Sequence, residues 1–187
     1  MMAIKSQVFE NIFITGASLG IGAALSGYYA VPGVTLGLLS RSAEELRDVA
    51  EHCRVKGAAV YTYVADVIDA QELKRCAMDY QSRAEGVDLV IANAGIRMEE
   101  DPENQEVAIP ARIMEVNYMG VINTLSPFIP DMKKRKTGHL AVISSIAAFR
   151  GTPNSGAYSA SKAAINVWTE SLRLRLKPYG ICVSTPC

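Results

Sequence analysis

Tyr158 and Lys162 stand four residues apart in the stretch Tyr158-Ser159-Ala160-Ser161-Lys162, a spacing that puts both side chains on one face of a helix. The pair has a chemical use. A free phenol, with a pKa of about 10, is too weak an acid to give up its proton at neutral pH. A neighbouring ammonium stabilises the phenolate and brings that pKa down. Such a tyrosine can give a proton to a carbonyl oxygen, or take one from an alcohol. The chain has eight tyrosines, so the same spacing also arises by chance and the pair alone is a weak sign.

A second stretch, Thr15-Gly16-Ala17-Ser18-Leu19-Gly20-Ile21-Gly22, follows the apolar run Asn11-Ile12-Phe13-Ile14 and precedes Ala23-Ala24-Leu25-Ser26, which reads as a helix. Glycines open backbone angles closed to other residues and, lacking a Cβ, let a ligand approach the main chain. The helix that follows offers unpaired N–H groups and a partial positive charge, which suits a pyrophosphate. The order strand, glycine turn, helix therefore reads as a dinucleotide site, with Gly16, Ser18, Leu19, Gly20, Ile21 and Gly22 around the phosphates. A tight strand-to-helix turn without a ligand would use the same glycines.

Other candidates sit where further strands end. Ser40-Arg41 closes the second strand, where an acidic residue would accept from the ribose 2′-hydroxyl of NAD. Ser and Arg there suit a 2′-phosphate instead, with Ser18 and Ser42 as helpers, so NADP(H) is favoured over NAD(H). A surface arginine after a strand is the plain alternative. Asp66-Val67 closes the third strand, and Asp66 is equally readable as a helix cap or turn residue. Asn93-Ala94-Gly95 closes the fourth, small enough for the backbone to pass close to a ligand. Asn117 falls in the middle of a predicted helix, where asparagine is a poor fit and invites a reason, although tolerance of a polar residue would also explain it.

The elements that must position these residues alternate. Strands are expected at 11–15, 34–40, 58–64, 88–92, 139–144 and 179–185. Helices are expected at 23–30, 42–56 (with a Ser42–Glu45 capping box), 69–84 (capped by Asp69), 110–136 (kinked at Pro127 and Pro130) and 155–176. Loops fall at 97–106 and 147–155. Apolar strands alternating with amphipathic helices give an α/β fold, a doubly wound parallel sheet with helices on both faces, as one domain over residues 1–187. Ligands of such sheets bind beyond the carboxyl ends of the strands, where every motif above lies.

Composition narrows the function. Nineteen basic residues balance nineteen acidic ones, which argues against nucleic acid as a partner. The run Lys133-Lys134-Arg135-Lys136 reads as a solvated helix end opposing the dipole. No stretch has the length and apolarity of a membrane span, and residues 1–10 do not have the pattern of a signal peptide. The four cysteines form no C-x-x-C pair and read as reduced core thiols, which sets a cytoplasmic location as the expectation. His52 and His139 have no ligand-spaced companions, so no metal site is expected.

The set Thr15-Gly16 to Gly22, Asn93-Ala94-Gly95, Asn117, Ser145, Tyr158 and Lys162 resembles, in order and on the expected elements, the short-chain dehydrogenase/reductase family. The resemblance runs from the first strand to Thr185. It implies an oxidoreductase that moves a hydride between NADP(H) and a small carbonyl or alcohol substrate. Tyr158 would be the general acid/base, Lys162 would tune it and hold the nicotinamide ribose, and Ser145, thirteen residues before Tyr158, would bind the substrate oxygen. Asn117 would kink its helix and hold a water of the proton relay. Asp66 would hold the adenine amino group, with Val67 on the ring. Relatives commonly form homodimers or homotetramers through the two long helices, here 110–136 and 155–176. Two departures stand out: Ala92 replaces the first Asn of an Asn-Asn-Ala-Gly motif, and Leu19 stands where NADP-preferring relatives carry a second basic residue. In the family a substrate-binding segment and a seventh strand follow the sixth. These residues lack that last strand, so the protein is expected to continue past Cys187 and its substrate is not legible. The rival readings are a non-catalytic NADP(H)-binding sensor or interaction module, and an NAD-dependent alcohol dehydrogenase differing at Arg41.

Overall fold

β1 (Asn11–Thr15) turns Ile12 and Ile14 to one side and Phe13 to the other, and all three are fully buried. Apolar residues on both sides are what a strand needs at the centre of a sheet covered twice over. The computed structural model, which describes residues 9–99 and 107–187, puts β1 there. Six parallel strands run in the order β3-β2-β1-β4-β5-β6. The others are β2 (Thr35–Ser40), β3 (Ala59–Val64), β4 (Leu89–Ala92), β5 (Gly138–Val142) and β6 (Ile181–Ser184). The order reverses between β1 and β4, and a crevice opens beyond the carboxyl ends of those two strands.

The Ile12/Ile14 side is covered by α1 (Gly20–Tyr29) and α2 (Ala43–Val55), which contribute Leu25, Leu46 and Cys53. The Phe13 side is covered by α3 (Ala70–Arg83), α5 (Gly120–Leu125), α6 (Ile129–Arg135) and α7 (Gly156–Leu176), with Leu73, Leu125, Met132 and Leu172 packed inward. At its centre the Phe13 ring lies 5.0 Å from that of Phe128 and 5.4 Å from that of Tyr80. β2 makes room for them at Gly37, where a Cβ would come within 2.6 Å of Phe13 and 2.8 Å of Tyr80.

The buried Tyr80 hydroxyl faces the carbonyls of Ile12 (2.9 Å) and Thr35 (2.8 Å), and so ties α3 to the β1–β2 seam. Tyr80→Phe leaves the ring packing alone and removes the single O–H donor that these two carbonyls share. It is expected to cost about 1–2 kcal/mol in urea unfolding. An unchanged midpoint would show that the hydroxyl is dispensable.

Several local expectations meet a different outcome. The helix expected over 110–136 is three helices: α4 (Ala108–Met114), α5 and α6. A π-turn, Glu115–Met119, joins α4 to α5. The break before α6 has its cause in Pro127, which has no N–H to continue the ladder beyond the Ser126–Ile122 bond. Pro110 causes no kink because it sits in the first turn of α4. The Ser42 side chain makes no cap bond, so the capping box with Glu45 is absent, whereas Asp69 Oδ1 accepts from the N–H groups of Gln71 (3.1 Å) and Glu72 (3.0 Å) as expected. A 3₁₀ turn, Ile146–Phe149, occupies part of the expected 147–155 loop. Residues 100–106 of the other expected loop lie outside the described residues.

All four cysteines are free; Cys53 and Cys76 are buried, but Cys182 and Cys187 are exposed rather than core thiols. Along β6 the buried positions belong to Ile181 and Val183, and the alternation turns Cys182 outward. The basic run ends α6 with Lys136 in a left-handed cap, Arg135 bonded to Asp131 (2.6 Å) and Lys133 over the Tyr179 ring. Among the described residues, no helix is long and apolar enough to cross a membrane.

Candidate active site

The glycine turn is built so that two elements can touch. Gly16 has φ +66°, in the left-handed region that favours glycine, and a Cβ there would fall 2.8 Å from the Cα of Ala94. A Cβ on Gly22 would overlap the Gly16 carbonyl oxygen and lie 2.6 Å from Asn93 Nδ2. The packing is fastened by side chains. Asn93 Nδ2 donates to the carbonyls of Thr15 and Gly16, both at 3.1 Å. Thr15 Oγ1 accepts from the N–H groups of Asn93 (3.3 Å) and Ala94 (3.4 Å). The Ala17 N–H reaches Leu39 O on β2 at 3.1 Å. α1 then begins without a side-chain cap, which leaves its first N–H groups to a ligand.

In front of the turn is a cavity of about 360 Å³. It brings together Gly16, Ser18, Leu19, Ile21, Ser40, Arg41, Asp66, Val67, Asn93, Ala94 and Gly95, the greater part of the residues expected to bind a dinucleotide. Gly20 and Gly22 do not line it: Gly22 is buried behind the turn, and a Cβ on Gly20 would meet no protein atom. Leu39, Ala65, Ile96 and Val116 complete the wall. Leu39 is within β2 and Ala65 directly follows β3, at positions next to those singled out, and their place at strand ends was the available signal.

At the outer end of the cavity the Ser40 hydroxyl donates to Ser18 Oγ (2.8 Å), and Arg41 is well exposed beside them. Asp66 does not cap α3, a task taken by Asp69. Its Oδ1 accepts from the Ile68 N–H (3.3 Å), and its Oδ2 faces Arg41 Nη1 at 3.7 Å and accepts from Arg112 Nη2 at 3.2 Å. Arg112, on α4, had no signal in the sequence: nothing in its spacing ties it to the end of β3.

At the inner end, Gly95 passes between the cavity and the Tyr–Lys pair, and a Cβ on it would lie 3.2 Å from Asn117 Oδ1 and 3.6 Å from Lys162 Nζ. Asn117 is fully buried inside the π-turn, a rare element that often marks functional sites. Its amide is bonded at both ends to protein. Oδ1 accepts from the Ile96 N–H (2.8 Å), while Nδ2 donates to Ile96 O (2.9 Å) and Ser161 Oγ (3.0 Å). The side chain therefore clamps the backbone after β4 to α7. Ser161 Oγ passes the connection on by donating to Tyr158 O at 2.7 Å.

Lys162 is buried and donates to Ile143 O at 2.8 Å, with its Nζ 5.9 Å from the centre of the Tyr158 ring. Burial pushes its ammonium below the ordinary lysine range. Tyr158 is half-buried in the first turn of α7. Of the two serines after β5, Ser144 is committed to the fold through a 2.6 Å bond to Asn166 Oδ1. Ser145 caps the 3₁₀ turn by accepting from the Ala147 N–H (3.1 Å) and stays half-buried.

The comparisons agree with this fold. The family model for short chain dehydrogenase matches residues 10–187. An uncharacterised oxidoreductase of Myxococcus xanthus is 34% identical over 176 residues, covering 94% of this chain and 70% of its own length. Other curated relatives of the same identity are covered over 51% of their length, and one that is 32% identical over 14%. A crystal structure of NAD⁺-bound xylitol dehydrogenase superposes with a TM-score of 0.90 at 28% identity, covering 94% of this chain and 68% of that one. A metagenomic short-chain oxidoreductase in complex with NADP superposes at 0.88 with 26% identity, covering 94% and 79%. With strand order, glycine turn and matched length all in accord, the chain belongs to the short-chain dehydrogenase family.

Proposed function

We propose that the protein is an oxidoreductase that uses a nicotinamide cofactor, NADP(H) rather than NAD(H), to interconvert a small carbonyl compound and its alcohol. The observation that carries this reading is the continuity of the crevice. One wall residue, Gly95, faces both the dinucleotide cavity and Lys162, which in turn lies beside Tyr158. The group fits the residues present: the uncapped start of α1 would take the pyrophosphate, and Asp66 and Val67 would take the adenine. When bound, the nicotinamide supplies or accepts the hydride. The chain's own residues do the rest. Ser145 orients the substrate oxygen, and Tyr158 gives that oxygen a proton, or takes it in the reverse direction. Lys162, held on Ile143 O, keeps a positive charge beside the phenol and favours its ionised form. Asn117 and Ser161 hold the Tyr158 turn against the backbone after β4.

The preference for NADP(H) rests on Arg41 and the Ser18–Ser40 pair, with no carboxylate at position 40. Titration with each cofactor tests it. NADPH is expected to bind more tightly than NADH, and Arg41→Ala to weaken NADPH about tenfold or more while sparing NADH. Equal losses for the two would sink the 2′-phosphate assignment. The NAD-dependent alternative draws support from Asp66, a carboxylate 3.7 Å from that guanidinium. Self-association is assigned to α7 and the α4–α6 segment, where Val167 and Leu174 on α7, one face apart by seven residues, are 68% and 73% exposed.

A further inference from the structure

Among the described residues, the cavity wall carries one cation, Arg41, and one anion, Asp66. Their proximity poses a problem for the reading above, on which this inference rests. A carboxylate beside Arg41 competes with a 2′-phosphate for the guanidinium and repels the phosphate itself. The way Asp66 is held resolves the conflict. Its Oδ1 is occupied by the Ile68 N–H at 3.3 Å, so the carboxylate is not free to swing. Its Oδ2 has two guanidiniums to choose from, and the shorter contact is to Arg112: 3.2 Å and hydrogen-bonded, against 3.7 Å to Arg41.

Arg112 does not line the cavity; it reaches Asp66 from α4, outside the wall. Its other terminal nitrogen, Nη1, donates to Glu115 Oε2 at 2.9 Å, one turn along the same segment, which fixes the direction of the fork. Among the described residues Arg41 has no such second anchor, and its side chain is 61% exposed. The two arginines thus divide the work: one is fixed on the carboxylate and the other stays loose at the mouth of the cavity.

We propose that Arg112 is a specificity-determining positioning residue, which occupies and neutralises Asp66 so that Arg41 remains available to the 2′-phosphate of the cofactor. Without it, Asp66 is opposed by Arg41 alone. The 3.7 Å gap closes into a full ion pair, and an arriving phosphate meets a neutralised guanidinium. The adenine contact of Asp66 is common to both cofactors and cancels in their ratio, whereas the loss of a free guanidinium is felt only by the cofactor that carries the 2′-phosphate. The four charged groups that face one another here, Arg41, Asp66, Arg112 and Glu115, sum to zero, so loss of Arg112 also leaves this end of the site with a net negative charge.

The test is a set of NADPH and NADH dissociation constants for the wild type, Arg112→Gln, Asp66→Asn and the double variant, with Arg112→Lys as a conservative control. Arg112→Gln is expected to lower the NADPH-over-NADH preference roughly three- to tenfold, the size of one partly screened charge. Arg112→Lys is expected to keep most of it. In the Asp66→Asn background, Arg112→Gln is expected to leave the ratio unchanged, because the charge it neutralises is gone. Equal weakening of both cofactors in Arg112→Gln would reduce Arg112 to a structural role and overturn the inference. So would a fall in the ratio that persists in the Asp66→Asn background, since Arg112 would then act on the phosphate directly. A wild type that prefers NADH overturns the underlying NADP(H) reading together with this one, and it is seen before any variant is made.

Discussion

Tyr158→Phe is expected to cut turnover about a hundred- to ten-thousandfold, the range that a positioned general acid supplies, while leaving NADPH affinity within about twofold. The variant loses one oxygen and keeps the ring, so the packing of the half-buried side chain at the start of α7 is preserved. What disappears is the proton donor. Hydride delivered to a carbonyl leaves an alkoxide, and a positioned side-chain acid neutralises it far faster than bulk water does. Lys162 is a poor substitute: its ammonium is buried and already donates to Ile143 O at 2.8 Å. Oxidation of NADPH by a panel of aldehydes and ketones, followed by loss of the reduced nicotinamide absorbance, checks the prediction. Near wild-type rates in Tyr158→Phe would remove Tyr158 from the reaction. Binding of NADPH without turnover by the wild type across the whole panel would favour the non-catalytic module.

What the sequence discloses about this site follows from how local each feature is. The β1–α1 turn is legible because its geometry is written in residue type: an αL position and a contact too close for a Cβ both call for glycine, at Gly16 and Gly22. The parallel sheet is legible because six apolar runs alternating with helices leave it as the architecture that buries them, while the order of its strands is not. Asn117 stands out as an asparagine in a helix, but its task does not. The π-turn and the clamp on Ile96 depend on a backbone segment twenty-one residues away, which no helical pattern reveals. The helix expected over 110–136 does break at Pro127, whose missing N–H is written in the sequence, but the π-turn that splits its first part is not. Ser42 shows the converse case. The capping-box pattern is present, yet the hydroxyl makes no cap bond, because sequence spacing permits such a bond without requiring it. Arg112 is wholly illegible: a guanidinium on a helix surface reads as solvated until the fold brings the end of β3 to it.

Gly22→Ala tests the turn on which cofactor binding depends, and it is expected to do more damage than its single methyl suggests. Gly22 lies in α1 with ordinary helical backbone, so the substitution brings no conformational strain; alanine is in fact the better helix former. The cost is space. The new Cβ would overlap the Gly16 carbonyl oxygen and crowd Asn93 Nδ2, the two groups whose 3.1 Å bond closes the turn against β4. Backbone cannot yield as a side-chain tip does, so α1 must tilt or the Gly16 peptide must move, at an expected cost of about 2–4 kcal/mol. Either movement shifts the first N–H groups of α1 away from the pyrophosphate. NADPH affinity is therefore expected to fall about tenfold or more, which is about 1.4 kcal/mol or more. Gly20→Ala separates the two kinds of glycine. Gly20 has φ +55° but open space around its Cβ position, so it is expected to lose only about 1–2 kcal/mol from the left-handed conformation. Urea unfolding and NADPH titration of both variants read the contrast. If Gly22→Ala is as stable as the wild type and binds NADPH as tightly, the contact between α1 and the turn is not what shapes the phosphate site, and the Asn93 clamp has to be sufficient by itself.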